Sequence, residues 1–490
     1  MKRKLLPAAA GGALGVLAVP ASAMADSLDA ANNGVLGDSV ALNTLWVVIA
    51  AVLVLFMLAG LLSLEAGMSR MKNVGTLVPK ALIGMAVAAM AYYAVGFAFA
   101  FGNGDIIGST GFFLRDYGDP QEAFGIMGLS DALIESKWLF QFAFCAVCLA
   151  IVWGSTLERI KFHAHAIFAL VFAGFIYPLA SHWVFGGGWL QSNVGMQDFA
   201  GSTAVHLVGA TGALAGLLVL GARRGKYGAD GKPRPIPGHS MYILGLGMFI
   251  LLIGWFGFNA GSTLGVADGR FAEVAMVTML GAAGGILGAY VMTVVLQRTV
   301  DIGMVCNGLI AGLVAITAPS GYVENFAAPI IGIVGGLIVV PSIMLIDRKV
   351  DDPVGVLSAH GLAGIWGTLA CGIFTAPRLA QYNAIGDPGG GFWYSQSFTQ
   401  LGHQALGVVV VFALVLVLCL ITWYAIAKTI GLRVTAEEEA AGLDISEHGM
   451  YGYPEQFISD AELYGPAVPA AVKLNGHAPA PAASAEAAPA

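Results

Sequence analysis

Residues 198–222 read DFAGSTAVHLVGATGALAGLLVLGA, a run of small and aliphatic side chains with an aspartate at its head and a histidine inside it. A membrane-spanning helix needs about 20 mostly apolar residues, and an ionisable group inside one is costly enough to be functional by default. The same Asp-to-His spacing of eight returns at Asp352-PVGVLSA-His360, again leading into an apolar run. A second pair of stretches is alike in the same way, Gly60-LLSLEA-Gly67 and Gly254-WFGFNA-Gly261.

Outward from these stretches, apolar runs of spanning length lie near 43–64, 81–102, 137–156, 162–184, 199–222, 241–260, 272–295, 301–318, 327–346, 355–376 and 403–428. The chain is expected to be an all-α polytopic membrane protein of eleven transmembrane helices. The similar stretches fall on spans one and six and on spans five and ten, which run in opposite directions. That makes a 5+5 inverted repeat with the eleventh helix outside the symmetry. Inverted repeats place a substrate path at their interface near the bilayer midplane.

Composition agrees. Of 490 residues, 57% are hydrophobic and 11% charged, against about one quarter charged in a soluble domain. The 67 glycines suit helices that approach one another closely. With a net charge of −7 and no basic cluster interleaved with aromatics, nucleic-acid binding is not expected. Cys145, Cys148, Cys306, Cys371 and Cys419 all fall in apolar stretches and read as packing residues. No metal or cofactor motif accompanies them.

The first 25 residues read as a signal peptide: Lys2-Arg3-Lys4, an apolar stretch to Val19, then small residues up to Ala25. A first transmembrane helix is the alternative, against which stand the short apolar part and Pro7 and Pro20. Basic residues gather in alternate loops at Arg70 and Lys72, Arg159 and Lys161, Arg223 to Arg234, Arg298, and Arg348 and Lys349. Because such loops stay in the cytoplasm, the N-terminus is expected in the periplasm, the C-terminus inside, and the chain in the cell inner membrane. The membrane domain is then 43–428, followed by a cytoplasmic C-terminal region, 429–464, and a disordered Ala/Pro-rich tail, 465–490.

Pseudo-twofold symmetry turns His206 and His360, each expected about two turns into its helix, toward one axis. A lone histidine would more simply brace packing through a backbone hydrogen bond, but a symmetric pair can share one proton between ring nitrogens and solvate a small polar molecule in a dry pore. Asp198 reads two ways that both stand: a helix cap, and electrostatic support for a cation near the outer mouth. Asp352 reads as a cap. Phe140, Phe142, Phe144, Phe185, Trp255, Phe256 and Phe258 cluster toward span ends, where an interfacial belt is the bland account.

GMSRMKN (67–73), LERIKF (157–162), FGGG (185–188), DFAGSTAVH, GWFGFNAGS (254–262), VDDP (350–353) before His360, and GLRVTAEEEAAGLDISEHG (431–449) together resemble the bacterial branch of the ammonium transporter (Amt/Mep/Rh) family, over roughly residues 43–450. The resemblance implies a homotrimer with one pore per subunit, embedded in the lipid bilayer and carrying ammonium or ammonia. By position, Phe144 and Phe258 are similar to that family's phenyl gate, and Ser262 to its ammonium-binding hydroxyl. Asp198 resembles the vestibule carboxylate, and His206 and His360 the twin pore histidines. A cytoplasmic PII signalling protein is the implied partner, with Glu437, Glu438 and Glu439 on a surface of little hydrophobicity. One residue departs from the pattern: Phe185 stands where the family usually has Trp, and a phenyl ring binds cations less well than indole. The alternative reading is an ammonium sensor that signals through its tail; a neutral-gas channel fits less well with the bacterial-type tail and Asp198 within DFAGSTAVH, and an enzyme fits less well because no nucleophile motif accompanies the histidines.

Overall fold

The computed structural model describes residues 37–115, 120–380 and 386–458. The expected signal peptide, 1–25, and tail, 465–490, lie outside them.

Eleven helical segments follow one another: α1 Asp38–Met68, α2 Met71–Phe101, α3 Ile134–Ser155, α4 Phe162–Val184, α5 Ser202–Leu220, α6 Met241–Gly261, α7 Arg270–Gln297, α8 Ile302–Thr317, α9 Ala327–Ile346, α10 Leu357–Phe374 and α11 Thr399–Thr429. Among the described residues ten of these are long and apolar enough to cross a membrane; α8, expected over 301–318, is the shorter one. It has 16 residues and stops before Pro319, which has no N–H to continue the ladder and disfavours helix in the residue before it.

Glycine sets the packing. A Cβ on Gly60 would meet the Gly247 carbonyl at 3.0 Å, one on Gly67 the Ser240 carbonyl at 2.6 Å, and one on Gly257 the Ala50 carbonyl at 2.7 Å. Thus α1 and α6, the helices carrying the second repeated motif, run antiparallel with their backbones nearly touching. Gly281, Gly285 and Gly288 of α7 meet Gly332 and Gly336 of α9 and Gly312 of α8 in the same manner. Close approach of this kind drives helix association where lipid offers no hydrophobic gain.

The most apolar window of α3 is 89% buried and that of α5 83%, against 28% for α11. The inner helices are therefore α3 and α5, and α11 lies on the periphery. Both α5 and α10 begin in a π-helical turn, Ser202–Leu207 and Leu357–Leu362, at the repeated motif. Such turns recur at functional sites.

At one end of the bundle the chain after α11 folds back on the loops. Two short helices, α12 Ala436–Ala441 and α13 Leu443–His448, are held by Asp444, which accepts from Gly75 N–H at 2.9 Å and Thr76 N–H at 2.8 Å. His448 Nε2 lies 2.8 Å from Thr76 Oγ1. Expected on an open polar surface, Glu439 is instead buried, 2% exposed. It pairs with Arg433 at 2.7 Å and accepts from Arg224 N–H, because a buried carboxylate must find donors.

Beneath this tail a buried ionic cluster joins four loops. Arg70 and Arg223 flank Glu158, and Arg223 Nη2 reaches Asp351 at 2.9 Å. Arg159 spends its donors on the carbonyls of Gly221, Leu157 and Asp351. Burial alone would push the Asp351 carboxyl up, but hydrogen bonds and charge from Arg223, with the charge of Arg159, outweigh it and hold the group at about 2. Glu158 is likewise held below its ordinary value: burial opposes, and Arg70 and Arg223 prevail.

Candidate functional site

Each half builds its histidine from the aspartate upward. The Asp198 carboxylate accepts from the backbone N–H groups of Gly201, Ser202, Thr203 and Ala204 at 2.7, 3.0, 2.8 and 2.9 Å. Four otherwise orphaned donors are satisfied by one side chain, so α5 starts only at Ser202. Gly201 makes the corner at φ +121°, a region side chains other than glycine's rarely reach. Asp352 repeats the device, accepting from Gly355 and Leu357 N–H at 3.1 and 2.8 Å, with Gly355 at φ +79°. The histidines consequently sit one turn into their helices rather than the expected two, since the residues just after each aspartate form the cap.

From those turns His206 and His360 face one another. Their Nδ1 atoms are 3.1 Å apart, and the ring planes are inclined by 28°. One Nδ1 must donate and the other accept, so the pair has polarity. His206 is fully buried and its Nε2 has no hydrogen-bond partner among the described residues. Trp255 stacks beside His206 with centroids 5.1 Å apart, its Nε1 donating to Thr317 Oγ1 at 2.9 Å. The interfacial-belt account therefore fails for Trp255, which is 1% exposed in the core.

A line of rings leads away from the pair. Phe258 lies 5.5 Å from His206, and Phe144 stacks on Phe258 with centroids 4.0 Å apart and planes within 14°. Phe185 stands edge-on to Phe144 at 6.5 Å, beyond the plug. There a vestibule of about 60 Å³ opens, lined by Phe140, Gln141, Phe144, Phe185, Asp198 and Ser262 among others. Ser262 Oγ donates to the Phe258 carbonyl at 2.9 Å, which leaves its lone pairs to accept from a guest. On the far side of His360 a recess of about 10 Å³ is lined by Asp352, Gly355 and Ser358.

The structure thus brings Phe144, Phe185, Phe258, Ser262 and Asp198 around one vestibule and the histidines beneath its floor. Phe142 does not join them; it stacks on Trp138 at 5.6 Å, on another face of α3. Trp183 and Trp189, which flank Phe185 in sequence, pack on each other at 5.6 Å, with Trp183 Nε1 donating to the Ile106 carbonyl. Neither substitutes for the indole absent at Phe185.

Gln141 was missed. It lines the vestibule, is 7% exposed, and its Oε1 has no hydrogen-bond partner among the described residues. A buried amide oxygen left unmatched is expensive unless a guest satisfies it. The signal was a polar residue in the apolar run FQFAF (140–144). His182 was missed as well: its ring nitrogens lie 2.9 Å from the Ala100 carbonyl and 2.8 Å from that of Gly104, pinning the end of α2 to the turn that presents Phe185.

Ten apolar helices of spanning length around a buried histidine pair, under an aromatic plug and a polar-lined vestibule, define a multi-pass membrane protein. The sequence profile of the Ammonium Transporter Family matches residues 45–453, and the chain belongs to that family. It is 39% identical over 443 residues to ammonium transporter Amt2 of Archaeoglobus fulgidus, covering 88% of this chain and 91% of that one. With ammonium transporter 3 of Dictyostelium discoideum the identity is 35% over 423 residues, covering 84% and 94%. Among solved structures it is similar to one named Sensor Amt Protein, at TM-score 0.75 and 32% identity over 84% of this chain and 99% of the other. Candida albicans Mep2 aligns at TM-score 0.73 and 29% identity, over 81% and 87%. The two curated relatives are named ammonium transporters, and the chain belongs to a transporter family rather than to a family of enzymes.

Proposed function

We propose that the chain recruits ammonium in the vestibule, strips its proton near Phe144 and Phe258, and conducts ammonia past His206 and His360. The observation that carries this reading is the Phe144–Phe258 stack, centroids 4.0 Å apart, set directly above the bonded histidine pair. A cation entering that dry segment would shed hydration with nothing charged to replace it, and burial of this kind favours the neutral amine. At the mouth the balance is reversed: ring faces, the Ser262 hydroxyl and the Gln141 oxygen all favour a small cation with several N–H donors. Below the plug, a histidine pair that offers one acceptor and one donor suits ammonia, which is both.

In this reading the chain sits in the cell inner membrane with Phe185 facing the periplasm and the tail the cytoplasm, after removal of residues 1–25. Residues 43–428 form the pore domain, 429–464 the cytoplasmic region, and 465–490 a disordered extension. The apolar residues exposed on α1 and α6, including Leu45, Val52, Phe249 and Ile253, fit a homotrimer contact, and the docked tail end fits a PII signalling protein.

The neighbour named Sensor Amt Protein motivates one rival, a sensor that does not conduct. Growth of a transport-deficient strain at low ammonium separates them. The transporter reading predicts rescue by the wild-type chain and loss of rescue with His206→Ala and His360→Ala together; normal membrane insertion without rescue would favour the sensor.

A further inference from the structure

On the peripheral α11, two buried amides, Gln400 and Gln404, lie one turn apart on one face of a largely apolar helix. Amides placed out of reach of water are costly unless matched. Here they are matched on the segment just before α5. Gln404 Oε1 accepts from the Gln197 N–H at 2.8 Å, and its Nε2 donates to the Gln197 carbonyl at 2.5 Å and to the Thr368 carbonyl at 3.0 Å. Gln400 Nε2 donates to Gln404 Oε1 at 3.1 Å and to the Gly195 carbonyl at 3.0 Å. All four hydrogen-bonding capacities of the Gln404 amide are used, and only one orientation of that amide satisfies them.

The clamped residue, Gln197, is the one before Asp198. Its side chain is fixed as well, Oε1 accepting from Thr375 Oγ1 at 3.0 Å, and on the other flank of Asp198 the Phe199 N–H donates to the Ala318 carbonyl at 2.9 Å. Met196, which lines the vestibule, packs on Gly407 of α11, where a Cβ would meet its Sδ at 2.1 Å. In the other half of the repeat the same position is anchored by charge: Asp351, before Asp352, has its carbonyl held by Arg159 and its carboxylate by Arg223. Around Asp198 the anchors are neutral. Its carboxylate faces four backbone N–H groups and, among the described residues, no cationic side chain. A cationic anchor there would offset the charge to which an incoming cation responds.

We propose that Gln404 is a positioning residue for ammonium binding: by clamping both backbone groups of Gln197 it fixes the Asp198 carboxylate relative to Ser262, Phe185 and Gln141 without cancelling its charge. The inference rests on the reading of that vestibule as the ammonium site. The four N–H groups tie the carboxylate to its own helix, α5, whereas Gln404 ties the strand that carries it to α10 and α11. Attraction between charges falls with distance, so drift of that strand weakens the hold on a cation. The eleventh helix thereby acquires a share in substrate affinity, although among the described residues none of its side chains lines the vestibule.

The test is ammonium uptake by proteoliposomes of the purified full chain, with half-saturation and maximal rate measured for each variant alongside Tm. Gln404→Met, of similar length but without donor or acceptor, is expected to raise half-saturation about tenfold while the maximal rate per folded chain stays near that of wild type. Gln404→Asn, too short to span both groups of Gln197, is expected to shift half-saturation the same way by less, and it carries the test if the Met variant does not fold. Thr422→Val removes a hydroxyl bonded to the Leu418 carbonyl further along the same helix, and is expected to leave half-saturation unchanged. A fall in maximal rate with half-saturation unmoved in the folded Gln404 variants would overturn the proposal and leave Gln404 a packing residue. So would an equal rise with Thr422→Val, which would make the effect one of any change in α11. Uptake by the wild-type chain that does not saturate would overturn the vestibule reading itself, and the proposal with it.

Discussion

Gln141 is where the vestibule is most exposed to a single substitution. Its Oε1 has no hydrogen-bond partner among the described residues, and a hydrogen bond to a charged partner contributes about 1.5–3 kcal/mol. Gln141→Leu is therefore expected to weaken apparent ammonium affinity by roughly tenfold or more, read as a raised half-saturation of uptake with little change in protein stability. Unchanged half-saturation would remove Gln141 from the site. At Phe185 the direction is opposite. Phe185→Trp restores the larger quadrupole over the same vestibule, where a cation–π contact adds about 0.5–1 kcal/mol, so half-saturation should fall a few-fold. The two effects share one guest and are not expected to add.

At the scale of elements, the aspartate caps decide where the histidines point. Asp198→Ala leaves the N–H groups of Gly201, Ser202, Thr203 and Ala204 without the acceptor they share. Loss of one cap costs about 0.5–2 kcal/mol, and the expected result is a lowered Tm together with loss of uptake. Stability lost with uptake retained would leave Asp198 a cap and nothing more. The loop cluster gives an acid-side prediction. Asp351 has a folded value of about 2, below the roughly 3.9 of an unfolded aspartate. Its stabilisation is therefore fully present above about pH 4 and is lost as the pH falls toward 2. Asp351→Ala removes the partner of a buried Arg223 and is expected to destabilise by about 3–5 kcal/mol, and to flatten that part of the acid unfolding profile. A profile identical to wild type would exclude the cluster from the acid response.

Over the whole molecule, the repeat was legible because membrane helices leave few ionisable residues, so two Asp-to-His spacings of eight stand out of an apolar background. Helix count followed from apolar length; only the length of α8 differs, 16 residues ending before Pro319 where the apolar run continues to 318. What stayed hidden depends on which face a side chain takes. FQFAF gives no hint that Phe142 turns toward Trp138 while Gln141 and Phe144 turn to the vestibule. Nor does EEE in the tail reveal that Glu439 alone is buried, since its partners Arg433 and Arg224 come from either side of the membrane domain's last six helices. The amide clamp on Gln197 was invisible for the same reason: it exists only where α11 meets the strand that leads into α5.

The central claim is that the substrate crosses the Phe144–Phe258 plug without its charge, and a cation that has no proton to lose tests it. Purified chain in proteoliposomes should pass ammonium down its gradient and exclude potassium, although both are small monovalent cations that the vestibule's ring faces attract. Potassium flux at a rate comparable to ammonium would contradict the account, because it would mean that the dry segment carries an intact cation.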